Sequence, residues 1–183
     1  NRMSQAQQQA DRIDLKSPLF MRLFVPFALA FFMSVLYRTV NSLLAPEFIR
    51  EFNMSAAQLG LRSSTYFITF AFAQYPLGIV LDRYGARRTL SFMLVFAVAG
   101  AFFFAQAQSV AWLMIGRGCI GIGVSGCLMA AIQAYREWVR PDKIPTVNSF
   151  QTFVGGLGGL VATKPVHLLM NFTDWRGVFI ILA

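Results

Sequence analysis

Two long apolar runs flank a short and densely charged segment of the chain. The runs, residues 57–80 and 89–107, are each long enough to cross a bilayer as a helix. The charged segment, residues 78–88, reads GIVLDRYGARR and is far too short to form a domain. We expect a tight hairpin loop at a membrane surface, in which Gly85 takes a positive φ and lets the chain reverse. Gly78 is expected to let a neighbouring helix approach closely.

The composition fits a membrane protein better than a soluble one. Of the 183 residues, 56% are hydrophobic and only 13% are charged, which is unusual for a soluble domain. A net charge of +8 would suit a nucleic-acid partner. However, the basic residues cluster in short segments between apolar runs, as the positive-inside rule expects. We therefore expect a protein embedded in a lipid bilayer, with no nucleic acid as a partner.

The apolar runs predict an all-α fold, a polytopic membrane helical bundle. Its expected parts are a cytosolic tail at residues 1–20 and six helices, the last of them too short to cross, at about 22–45, 57–80, 89–107, 110–135, 146–170 and 175–183. Ser55 is the expected N-cap of the second helix. Ten basic residues fall on the side of the charged segment, against only Arg50 and Arg176 on the other. This count places the amino terminus and the charged segment in the cytosol.

Two sequence patterns are similar to signatures of a known family. The pattern G-x-x-x-D-R-x-G-x-R-R, at residues 78–88, resembles the signature loop of the major facilitator superfamily. The pattern R-G-x-x-G-x-G, at residues 117–123, is similar to a second signature of that family, and the sequence Asp174-Trp175-Arg176 is also common in it. The resemblance implies the amino-terminal half of a twelve-helix transporter, whose substrate site lies between two six-helix halves. It also implies a carboxy-terminal half as partner and the bacterial inner membrane as location.

The same resemblance implies that the charged segment acts as a conformational gate. The residues expected to act there are Gly78, Asp82, Arg83, Gly85, Arg87, Arg88 and Glu137. Asp82 is expected to cap a neighbouring helix and to pair with Arg83 or Arg87. Glu137 is expected to pair with Arg87. These contacts would close the cytosolic side and favour the outward-open state.

Four cations fall within the predicted spans instead of the loops. They are Arg38, Arg62, Arg117 and Lys164, whereas all eight acidic residues lie in predicted surface segments. Ionisable groups inside a membrane span are costly and mark functional sites, because an unpaired buried charge is very unfavourable. We expect some of these cations to form an anion-binding site at a central cavity. Asn41 is expected to contribute, because it shares one face of the first helix with Ser34 and Arg38.

Three of these cations also have a structural interpretation. The resemblance associates the arginine of the second signature, Arg117, with coupling or structure in relatives. Lys164 precedes Pro165, which frees a carbonyl at a kink, but its long side chain could also reach outward to the interface. Arg62 is the nearest of the four to a predicted helix end and could extend to the lipid headgroups.

The remaining polar patterns indicate no catalytic or metal site. Cys119 and Cys127 are about 12 Å apart along one helix, too far for a mutual disulfide. With the single His167 they do not form a metal-ligand cluster. The glycines of residues 155–159 lack the Lys-Ser/Thr of a phosphate loop, and we interpret them as a site of close helix packing. We expect no enzyme activity, no metal and no cofactor.

The sequence thus predicts a secondary active transporter of a small organic or inorganic anion, working by alternating access. Coupling would occur by anion exchange or through a proton site in the other half, because no predicted span carries an acid. Two alternatives stay open. One is proton-driven efflux of hydrophobic compounds, and the other is a non-transporting membrane sensor or scaffold with the same fold.

Overall fold

The computed structural model describes residues 17–170 and 172–182, apart from the side chains at positions 164, 165 and 167. This part of the chain is almost entirely helical and contains no β-strand. Its helices are α1 (Pro18–Leu43), α2 (Ala45–Phe52), α3 (Ala56–Tyr84), α4 (Ala86–Ala105), α5 (Val110–Ser125), α6 (Cys127–Trp138), α7 (Ile144–Leu169) and α8 (Trp175–Leu182), with a 3-10 turn at Pro141–Lys143. The all-α membrane bundle predicted from the sequence is confirmed.

Four helical segments of the described chain are long and apolar enough to cross a membrane. They are α1, α3, α4 and the combined segment of α5 and α6, Val110–Trp138. Helix α7 is as long as α1, with 26 residues each, but it is not among these four segments. Large apolar side chains such as Phe72 and Tyr75 point away from the bundle and are strongly exposed. Such a surface is stable only against lipid or against further helices.

Side-chain caps fix the starts of α1 and α3. Ser17 caps α1 by accepting a hydrogen bond from the Leu19 backbone N–H at 3.3 Å. The first helix therefore begins at Pro18, before the predicted residue 22, and the rest of the tail predicted for residues 1–20 lies outside the described residues. Ser55 caps α3, as predicted, through a reciprocal pair of hydrogen bonds with Gln58 at 2.9 and 3.2 Å.

The charged segment 78–88 is not the loop that we expected. Helix α3 continues through Asp82 to Tyr84 and α4 begins at Ala86, so that Gly85 alone separates the two helices. Gly85 has a φ of 77°, the positive value predicted for the reversal. The loop prediction was wrong because no proline lies between Gly78 and Gly85, and polar side chains remain solvated on the last turn of a helix.

A short helix that the sequence analysis did not predict, α2, follows the first span. Pro46 stands in its first turn, where a missing N–H costs nothing. Glu47 accepts a hydrogen bond from Arg50 at 2.6 Å, one turn later. Asn53 ends the helix in the left-handed conformation, with a φ of 48°. This arrangement buries Phe48 completely against the bundle.

Helix α5 occupies the centre of the described bundle, between α3 and α4, while α7 packs along α1. Two of these approaches are possible only at glycine. A Cβ at Gly121 of α5 would lie 2.7 Å from the carbonyl oxygen of Tyr66 in α3. A Cβ at Gly158 of α7 would lie 2.5 Å from the carbonyl oxygen of Phe32 in α1. Close packing is thus confirmed at Gly158, whereas nothing lies within 4 Å of a Cβ added at Gly156, or at Gly78, where a close helix approach was also predicted.

Candidate functional site

Six polar side chains of α1, α3 and α5, which we call the polar cluster, lie along the spans of the bundle; five of them are buried and Arg38 is exposed. They are Ser34, Arg38 and Asn41 on α1, Arg62 and Tyr66 on α3, and Arg117 on α5. Tyr66 of α3 lies against α5, since the guanidinium carbon of Arg117 lies 4.5 Å from the centre of its ring.

Two of the three arginines in the polar cluster are enclosed by the chain. Arg62 is only 1% exposed and Arg117 only 3%. In each, the Nε and Nη1 atoms are buried and have no hydrogen-bond partner. The two guanidinium groups are also close enough for their charges to repel each other. Buried N–H groups without acceptors carry the full cost of desolvation, so the cluster holds positive charge that is not compensated.

Aromatic rings provide part of the missing stabilisation. The guanidinium carbon of Arg62 lies 4.2 Å from the centre of the Phe48 ring. The guanidinium carbon of Arg117 lies 4.5 Å from the centre of the Tyr66 ring. A cation held over an aromatic face is attracted by the negative face of the ring. Such contacts orient both guanidinium groups but leave their N–H donors unused.

The polar stripe on α1 is divided between two environments. Arg38 is exposed, whereas Ser34 and Asn41 are buried, and the side-chain oxygen of Asn41 has no hydrogen-bond partner. The three side chains therefore differ in exposure, and their contribution to an anion site stays a prediction. The three positions span almost two helical turns, and α1 meets neighbouring helices at some of these levels and not at others.

The acidic residues of the described chain all lie at the two ends of the bundle. They are Glu47, Glu51, Asp82, Glu137, Asp142 and Asp174. Within the described residues, the ion pairs join Glu47 to Arg50, Glu51 to Arg176, and Asp142 to both Arg140 and Lys143. None of these pairs involves Arg38, Arg62 or Arg117. The suggestion that Arg62 extends to the lipid headgroups was wrong, because α2 covers it.

At the Gly85 end of the bundle, the predicted gate residues do not form the expected ion pairs. Within the part that the structure describes, Asp82 makes no ion pair with Arg83 or Arg87. Glu137 accepts a hydrogen bond from Gln133 at 3.2 Å instead of pairing with Arg87. These charged side chains are exposed, where the gain from an ion pair is small.

Sequence reasoning missed the two aromatic side chains that cover the arginines. Tyr66 follows Arg62 by four residues on the same helical face, and this spacing could have identified it. No local pattern identifies Phe48, since its position depends on how α2 folds back. The predicted site residue Lys164 belongs to α7, but its side chain is outside the described part of the chain.

The polar cluster offers positive charge and hydrogen-bond donors. Among the residues that the structure describes, no three His, Cys, Asp or Glu side chains are grouped as metal ligands. Cys119 and Cys127 are both free, and Cys127 is buried. The chemistry available at the cluster is therefore the binding of a group that is negative and accepts hydrogen bonds.

A comparison with protein families agrees with the helical bundle. The model of the Major Facilitator Superfamily matches residues 27–183. The chain belongs to this superfamily. Members of the Major Facilitator Superfamily are transporters.

Several members of the superfamily can be aligned with the chain. A probable sulfoacetate transporter of Cupriavidus necator is 25% identical over 155 residues, which cover 85% of this chain and 36% of that protein. A hexuronate transporter of Bacillus subtilis is 30% identical over 174 residues, covering 91% of this chain and 39% of that protein. A candidate multidrug resistance protein of Klebsiella pneumoniae is 25% identical over 154 residues, with coverages of 84% and 33%. The chain thus spans between 33% and 39% of the length of these relatives.

Proposed function

We propose that the chain forms the amino-terminal half of a transporter that moves a small organic or inorganic anion by alternating access. One observation carries the proposal: Arg38, Arg62 and Arg117 have no carboxylate partner among the described residues. An anion in the polar cluster would supply both the missing charge and the missing hydrogen-bond acceptors. The names of two relatives add support, since sulfoacetate and hexuronate are organic anions.

The members of the cluster have different proposed roles. Arg38 is exposed and is a proposed ligand of the bound substrate, and Asn41 lies one turn further along α1. Arg117 receives the anionic group when Tyr66 moves aside, because a guanidinium binds a carboxylate or sulfonate through two parallel hydrogen bonds. Arg62 and Lys164 are further proposed ligands, and Arg62 becomes available only when α2 moves.

The proposed transporter is completed by a second, carboxy-terminal half that supplies the other wall of the cavity. We place the protein in the bacterial inner membrane, with the amino terminus and the Gly85 end of the bundle in the cytosol. The α2 end is then the outer end. The cytosolic gate is formed by Gly78, Asp82, Arg83, Gly85, Arg87, Arg88 and Glu137, which act during the rocking of one half against the other.

Efflux of hydrophobic compounds is the second candidate function. It is supported by the likeness to a candidate multidrug resistance protein and by large exposed aromatic side chains such as Phe72 and Tyr75. Efflux predicts binding of apolar cations that does not depend on Arg38. A third candidate, a membrane sensor or scaffold, predicts ligand binding without flux.

Thermal unfolding of the purified full-length protein tests these functions. A ligand that binds only the folded state at 100 times its Kd stabilises a protein by about 2.7 kcal/mol. We expect such a shift with sulfoacetate, a hexuronate or nitrate, its loss in Arg38→Gln and its retention in Arg22→Gln. Arg22 is a suitable control because it is an exposed cation on the same helix.

Three other results would contradict the proposal. No shift with any anion, together with an equal shift by apolar cations in all three proteins, would favour efflux. An anion shift that survives Arg38→Gln would remove Arg38 from the site. Binding of an anion without uptake into liposomes would make the protein a sensor or scaffold.

A further inference from the structure

The short helix α2 covers Arg62 with a single aromatic side chain. Phe48 is completely buried, and its ring centre lies 4.2 Å from the Arg62 guanidinium carbon. The same ring makes edge contacts with Phe104 and Trp175, at 5.6 and 5.0 Å between ring centres. Phe48 therefore separates Arg62 from the surroundings at this end of the bundle.

One carboxylate ties α2 to the rest of the bundle. Glu51 accepts a hydrogen bond from the indole N–H of Trp175 at 2.5 Å, and its other oxygen pairs with Arg176 at 2.6 Å. Arg176 also donates to the carbonyl oxygen of Ala107 at 3.0 Å, in the turn between α4 and α5. Glu51 thus links α2 to the start of α8 and, through Arg176, to the turn between α4 and α5.

Helix α2 is a separate element between two joints. Leu44, which is not helical, separates it from α1, and Asn53 ends it in a left-handed conformation. Eight residues can therefore move as a unit without unwinding α1 or α3. A change of backbone angles at one or two positions is the usual form of a hinge.

The closed position leaves Arg62 unsatisfied. Its Nε and Nη1 atoms are buried by this chain alone and have no hydrogen-bond partner. A second half packed on the outside of the bundle could not reach these atoms without a rearrangement. They gain partners when Phe48 withdraws and admits water or an anion, so the cost of burial in the closed position favours opening.

We propose that α2 is an outer lid, held closed by Glu51, whose opening exposes Arg62 as the entry site for a carboxylate, sulfonate or sulfate. When Glu51 releases Trp175 and Arg176, α2 swings outward and carries Phe48 away from Arg62. The entry role of Arg62 rests on the proposed anion transport. The movement of α2 stands on the contacts of Glu51 and Phe48 and is tested separately.

A cysteine directly after α2 reports the opening of the lid. Met54 is buried directly after the Asn53 joint. In full-length protein carrying Met54→Cys, Cys119→Ala and Cys127→Ala, a membrane-impermeant maleimide should label position 54 slowly. Glu51→Ala removes one ion pair and one charged hydrogen bond, and we expect labelling to become about tenfold faster.

Two controls separate lid opening from general loosening. Glu47→Gln removes a carboxylate from the same helix that, within the described part of the chain, pairs with Arg50, and it should leave the labelling rate unchanged. A protein that keeps only the buried Cys127 should stay unlabelled with and without Glu51→Ala. The lid is overturned if Glu51→Ala does not change labelling at position 54, or if Cys127 becomes labelled in parallel.

Added anion tests the entry role. Sulfate or sulfoacetate should speed labelling at position 54 in the reporter protein and should not do so after Arg62→Gln. A response to Glu51→Ala without any response to anions would keep the lid and reject the entry site. If the thermal-shift panel also finds no anion ligand, the proposed transport function fails while the lid remains.

Discussion

Arg117 stacks on Tyr66 at 4.5 Å, and this contact depends on a glycine one helical turn beyond the arginine. Gly121 lets α5 approach α3 so closely that a Cβ there would lie 2.7 Å from the Tyr66 carbonyl oxygen. The arginine and the glycine of the pattern R-G-x-x-G are therefore parts of one structure. The glycine brings the two helices together, and the arginine then reaches the aromatic ring of its neighbour.

Replacement of Arg117 by methionine should separate stability from function. The buried Nε and Nη1 atoms of Arg117 have no acceptors, so an apolar side chain of similar length removes a desolvation cost. We expect Arg117→Met to raise the free energy of unfolding by about 1–3 kcal/mol while abolishing the anion-induced thermal shift. Arg140→Met, at an exposed ion pair, is the control and should change stability by less than ~1 kcal/mol. A large loss of stability in Arg117→Met would mean that the arginine has a stabilising partner.

Two glycines of α7 should respond to alanine with opposite signs. At Gly158 the added Cβ would lie 2.5 Å from the Phe32 carbonyl oxygen, so Gly158→Ala should lower the free energy of unfolding by about 1–3 kcal/mol. At Gly156 nothing lies within 4 Å of the added Cβ. Gly156→Ala should therefore raise it by about 0.5–1 kcal/mol through the higher helix propensity of alanine. Thermal unfolding in detergent measures both, and equal shifts would contradict the packing of α7 on α1.

A buried hydrogen-bond chain joins α6, α7 and α1. The Tyr135 hydroxyl donates to the Gln151 side-chain oxygen at 2.8 Å, and the Gln151 amide donates to the Phe27 carbonyl at 3.0 Å. Tyr135→Phe leaves the Gln151 oxygen without a donor and should cost about 1–3 kcal/mol of unfolding free energy. Tyr75→Phe, at an exposed tyrosine, should cost nothing measurable. In a double-mutant cycle with Gln151→Leu, additive losses would show that the two side chains are not coupled.

Asp82→Asn should slow transport without unfolding the protein. Asp82 is exposed on the last turn of α3 and makes no ion pair among the described residues, so its loss removes no packing. Its proposed role is in the cytosolic gate, where it acts between the two halves. Transport in liposomes and thermal unfolding of Asp82→Asn should be measured beside those of Asp142→Asn. Asp142 is an exposed acid in the 3-10 turn between α6 and α7. Unchanged transport in Asp82→Asn would remove it from the gate.

Local features of the sequence predicted several elements correctly. The cap at Ser55 and the reversal at Gly85 depend on one or a few neighbouring residues, and both appear as expected. Local reasoning failed where the chain folds back on itself. Helix α2 was missed because its eight residues are stabilised mainly by Phe48 and Glu51, whose partners Trp175 and Arg176 are more than a hundred residues away.

The sequence alone determined which charged residues lie within the predicted spans, because the positions of cations and acids relative to the apolar runs are a property of the chain. It placed Arg38, Arg62 and Arg117 within spans and every acid outside them. Only the tertiary structure decided that Arg38 is exposed while Arg62 and Arg117 are enclosed. The position along a helix sets the depth of a side chain in the bilayer, but its exposure depends on what packs against it. Here α2 and Tyr66 provide that packing, and the position of α2 depends on partners more than a hundred residues away.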